Sequence, residues 1–84
     1  LLTPTTATPA PAVREIDQSG TPAGFTRMVN ILDRCALAIP NGVTRAGLPT
    51  SLHIVCAGYD EAMALRVGWA YEQATQWHSR RPAL

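Results

Sequence analysis

Apolar residues are grouped in four blocks along this chain, and the spacing inside each block predicts its element. In the first, Phe25, Met28, Val29 and Leu32 recur at i, i+3, i+4 and i+7, one face of a helix. Thr21 as N-cap and Pro22 at the first helical position open that helix, which is expected over 21–33. Arg27 and Asn30 fall on its other faces and are candidates for contacts outside the core. The second block, Cys35-Ala36-Leu37-Ala38-Ile39, has no polar position and predicts a strand buried on both faces, ended by Pro40-Asn41-Gly42. In the third, Leu52, Ile54 and Cys56 alternate with His53, Val55 and Ala57, the period of a second strand. The two strands are expected to pair as a hairpin over 35–57, with a long loop from about 41 to 49.

The fourth block predicts a helix over 60–80. Asp60 and Glu61 suit the positive end of its dipole, and Arg80 and Arg81 suit the negative end before Pro82. Met63, Val67, Ala70, Ala74 and Trp77 are expected to form its buried stripe, with Leu65 and Trp69 as a second apolar edge. Ahead of these blocks, Leu1 to Thr3 has the character of a strand end. Pro4, Pro9 and Pro11 then make residues 4–20 an extended surface connection.

Composition changes this picture. With 84 residues, the chain has room for one small domain, yet only 15% of them are charged, against about 25% in an ordinary soluble domain. A hairpin apolar on both faces needs a layer on each side, and two helices supply too little. Two sheet edges are also left unpaired, which natural proteins normally cover. The expected architecture is therefore part of a larger α/β protein and not an independent domain. The first residue is leucine, which agrees with a piece of a longer chain. The longest strongly apolar run is far too short for a membrane span, and no membrane association is expected.

Candidate chemistry is sparse. All seven cations are arginines and they form no basic stripe, so lysine chemistry is excluded from this chain and no nucleic-acid partner is expected. Cys35 and Cys56 allow at most one disulfide, and buried thiols packing as small hydrophobes are the simpler reading. His53, His78 and the cysteines have no zinc-ligand spacing, so no metal and no cofactor is expected. Asp60 and Glu61 are adjacent and point about 100° apart on a helix, which does not suit a catalytic carboxylate pair. None of the three serines lies in a nucleophile elbow. Asp33 and Arg34 interrupt the apolar stretch between helix and strand, where a paired charge that fixes the corner is the simpler reading and a ligand contact the alternative. No catalytic residue can be assigned.

The order of local words is more specific than any one of them. L-L-T-P-T, G-F-T-R-M-V-N-I-L-D, C-A-L-A-I-P-N-G, G-L-P-T-S-L-H-I-V and Y-D-E-A-M-A-L-R-V-G-W-A-Y-E-Q-A-T-Q-W-H, in that order, resemble the C-terminal stretch of amidase signature family hydrolases. The resemblance implies a C-terminal part of a large mixed β-sheet core flanked by helices. It also implies a cytoplasmic amidohydrolase several times longer than this chain, cleaving amide C–N bonds through an acyl-enzyme. The family's serine nucleophile, cis-linked serine and neutral lysine have no counterpart here and would lie upstream of Leu1.

By position, the resemblance makes Gly20, Ala23, Gly24 and Arg27 substrate-binding wall residues. Amidotransferase A subunits of the family carry an acidic residue near Ala23 to grip the substrate's amino group, and its absence argues against glutamine. L-D-R-C-A is closer to an allophanate hydrolase ending, which leaves ureas and carbamates open beside simple amides, a urethanase included. The implied partners are the remainder of the amidase chain and a small amide or carbamate substrate, with a homodimer left open. A noncatalytic module docking on a larger partner chain would explain the same apolar surfaces.

Overall fold

The computed structural model describes residues 1–16, 19–20 and 23–81, and these form a small α/β unit. Three antiparallel strands make one sheet: β1 (Leu2–Pro4), β2 (Cys35–Val43) and β3 (Pro49–Cys56), in the order β1-β3-β2. A short helix, α1 (Arg27–Ile31), precedes β2, and a longer one, α2 (Glu61–Ala74), packs on β2 and β3. Two 3-10 turns, Val13–Glu15 and Trp77–Ser79, complete the element order.

The strand β3 is central, and its alternating residues are buried to both sides. His53, Ile54 and Val55 are consecutive and all buried, with Ile54 only 2% exposed. Ile54 lies opposite Leu37 of β2 and Leu2 of β1, on the face that α2 covers. On the other face, His53 sits between Thr3 and Ala38, and its Nδ1 lies 3.2 Å from the Thr3 hydroxyl.

Pro40 does not end β2. Pairing continues past it to Val43↔Pro49, with a bulge at Asn41 whose Oδ1 accepts a hydrogen bond from the Thr50 hydroxyl at 2.8 Å. The reason is register. Ser51 offers its carbonyl to the N–H of Thr5, the residue after β1, so its backbone groups point away from β2, and Pro40 opposite it is at a position where no N–H is required. Pro4 is placed the same way on β1. The backbone of Val55 bonds Leu1, so that of Leu52 points toward β2 and leaves nothing for a proline opposite to donate to. Both prolines thus direct their missing donors to the outer edges. The loop is shorter than the expected 41–49, spanning Thr44 to Leu48. It is closed by Thr44 N–H to Leu48 carbonyl at 2.8 Å and turns at Gly47, whose φ is +86°.

The final helix starts as expected, with the Asp60 carboxylate accepting from the Met63 N–H at 3.3 Å. Its end and its buried face both differ. The helix stops at Ala74, Thr75 is extended, and Trp77 enters a separate 3-10 turn, so the expected 60–80 helix is two elements. The buried positions are Ala64 and Gly68, with Tyr71 and Thr75 half-buried, and Met63, Val67, Ala70 and Ala74 are exposed. The 4-3-4 period is right, but the phase is one residue off, about 100° of rotation. Size decides it: a Cβ on Gly68 would lie 2.6 Å from Leu37 Cδ2, so the small residues let the helix approach the sheet.

The expected 21–33 helix is also shorter. Its proposed opening at Thr21-Pro22 lies outside the described residues, and the ordered helix begins at Arg27 after turns over 23–26. Of its apolar face only Val29 is buried, while Phe25 and Leu32 remain exposed. No ion pair forms at Asp33 or Arg34 among the described residues. The corner is held by backbone instead: Asp33 takes a φ of +53° and the Arg34 N–H bonds the Val29 carbonyl at 2.9 Å.

Candidate functional site

Ala23 and Gly24 sit on the turn over 23–26 that leads into α1, Arg27 begins that helix, and Gly20 lies ahead of the turn. Ala23 anchors it, because its carbonyl accepts from the Thr26 N–H at 3.2 Å and the Arg27 N–H at 3.0 Å. That shared acceptor places Ala23 and Arg27 one turn apart, with Gly24 between them. Gly24 and Gly20 are exposed with open space where a Cβ would stand. Arg27 is exposed and makes no ion pair among the described residues, so its guanidinium is available to an external acceptor. Ala23, Gly24 and Arg27 therefore form one surface, small and open at the glycine and cationic at one end.

A groove lies elsewhere, and the pattern of residues did not single it out. The threonine-rich stretch after β1 runs beside the sheet and lines an open groove of about 700 Å³ with Ala38, Pro40 and Ser51. The stretch is tied down by hydroxyl pairing, Thr5 Oγ1 to Ser51 Oγ at 2.7 Å, and turned by the Thr6 hydroxyl donating to the Thr8 carbonyl at 2.9 Å. Hydroxyls and short apolar groups dominate its lining, so it can offer hydrogen bonds but no charge. None of Gly20, Ala23, Gly24 and Arg27 lines it. The signal that could have marked this wall is the repetition of threonine at residues 3, 5, 6 and 8, which composition alone equates with a linker.

No nucleophile, base and oxyanion donor converge at either place, and among the described residues no three metal-ligating side chains come together. His53 is buried against Thr3 and faces neither surface as a free base. No helix among the described residues is long and apolar enough to cross a membrane.

Comparison with known proteins supplies what the geometry lacks. No family model and no solved structure matches the chain. Curated proteins do. The A subunit of glutamyl-tRNA(Gln) amidotransferase from Geotalea daltonii is 39% identical over the whole of this chain, which covers 18% of that protein. Its counterpart in Trichlorobacter lovleyi is 36% identical over the same shares. That of Thermodesulfovibrio yellowstonii is 42% identical over 71% of this chain and 12% of its own length. The chain thus spans less than a fifth of the length of these relatives. They are the subunits from which the missing acidic residue near Ala23 had set it apart, and they lend no support to the carbamate or allophanate preference. With identity carried across its full length, the chain belongs to the amidase signature family, of which these A subunits are members, and represents one segment of it.

Proposed function

We propose that this chain is the C-terminal segment of an enzyme that breaks amide C–N bonds through an acyl-enzyme, and that it supplies core strands and part of the substrate-pocket wall. The observation that carries this reading is the match to amidotransferase A subunits over the entire chain. Two structural features support it. Leu65 and Trp69 of α2 are 60% and 65% exposed, and both sheet edges are unpaired among the described residues, as expected of a segment packed against the remainder of a larger sheet. Ala23, Gly24 and Arg27 form the wall; Arg27 orients a carbonyl or carboxylate of the substrate, and Gly20 and Gly24 leave it room. The serine nucleophile and the lysine that activates it belong to the rest of the protein.

The test uses the complete protein with a panel of glutamine, simple carboxamides and a carbamate, in the presence of hydroxylamine. Release of ammonia together with a hydroxamate from an amide is the expected result, because hydroxylamine intercepts an acyl-enzyme. Absence of amide turnover, with no covalent labelling by a serine-reactive phosphonate, would overturn it. The dependence on a larger protein has its own test. If these 84 residues alone gave a monomer with a cooperative unfolding transition, the embedded-segment reading would be wrong.

A further inference from the structure

The two cysteines lie directly opposite each other at the open end of the hairpin. Cys35 begins β2, Cys56 ends β3, and the register pairs them. Both are free thiols and both are partly exposed. The backbone of Val55 exchanges two hydrogen bonds with Leu1, just ahead of β1, so the groups of Cys56 turn toward β2 and Cys35↔Cys56 is a hydrogen-bonded pair. In such a pair the Cα atoms are about 5.5 Å apart, inside the disulfide range of about 4.4–6.8 Å, and the side chains share one face. The Cys35 thiol donates to the carbonyl of Ala57, next to Cys56, at 3.2 Å, so a change of rotamer is enough to turn it toward its partner.

We propose that Cys35 and Cys56 are a reversible dithiol modification site that closes to a cross-strand disulfide by exchange with a small-molecule disulfide such as oxidised glutathione. One cysteine thiolate attacks a sulfur of the small disulfide and releases the first small thiol. The second cysteine thiolate then attacks the mixed disulfide and releases the other. The protein pair loses two electrons, the small disulfide gains them, and the two thiol protons end on the released thiols. Opposite Cβ atoms in a hydrogen-bonded pair stand farther apart than a relaxed disulfide prefers, so the strands draw together and the bond is the easily reduced kind. It clips the corner where Asp33 enters β2 and Tyr59 leaves β3, both at positive φ (53° and 62°).

The experiment treats the complete, folded protein with oxidised glutathione, blocks remaining thiols by alkylation, digests without reductant and maps the peptides by mass. The expected product is a peptide pair joining Cys35 to Cys56, lighter by two hydrogens and separated by reductant, with both positions lost to alkylation. The variant C35S should instead hold glutathione on Cys56. The proposal is overturned if both cysteines are alkylated after treatment, if each carries its own glutathione, or if either joins a third cysteine.

Discussion

The hairpin with α2 and the segment from residue 6 to 16 are both sparsely charged, yet they end in opposite states. In the hairpin, β3 is flanked by strands on both edges and its residues 53 to 55 are buried to both faces. In the leading segment, residues 6 to 16 are all exposed, and the ties to the sheet are few, chiefly Thr5 to Ser51. The difference lies in where the hydrogen bonds go. Strand residues satisfy their backbone on neighbours and free their side chains to pack, whereas a proline- and threonine-rich segment has fewer donors and bonds to itself. The proposed wall residues belong to the second kind of structure.

Substitutions can break or sharpen this contrast. Ile54→Ala should have the largest effect, destabilising the complete protein by about 4 kcal/mol in urea unfolding, since Ile54 is enclosed by both neighbouring strands and α2. Trp69→Ala should cost about 3 kcal/mol in the same measurement although Trp69 is largely exposed in this chain. A change below about 0.5 kcal/mol would show that this face of α2 meets solvent. Gly58→Ala should cost about 2 kcal/mol, because its Cβ would meet the Asp33 carbonyl oxygen, a backbone atom that cannot swing aside. Arg27→Ala should leave stability within about 0.5 kcal/mol and raise KM for an amide substrate by about tenfold, the worth of one charge-assisted hydrogen bond. Unchanged kinetics across the amide panel would remove Arg27 from the pocket.

The hairpin and the start of the last helix were legible because their signals are local. Alternation placed Ile54 and His53 on opposite faces of one strand, and Asp60 capped the helix it precedes. The helix phase was not legible, since hydrophobicity marks Met63 and Val67, whereas close approach to Leu37 selects Ala64 and Gly68. The candidate site was legible only in part. Residue types gave Arg27 a free face, but the threonine-lined groove forms where Thr5 meets Ser51, a contact 46 residues distant.

Period, alternation and composition by themselves determined that this chain holds a hairpin, a second helix and little charge. Those properties belong to each residue and its near neighbours along the chain. The expected burial of both faces of β2 fails at Ala36 and Ala38, which are exposed. Tertiary structure alone decided that Pro4 and Pro40 could sit within strands, that two cysteines meet across one register, and that glycine forms the contact face of α2. Each of these depends on which backbone atom lies opposite which, a relation between distant segments that spacing along one chain does not encode.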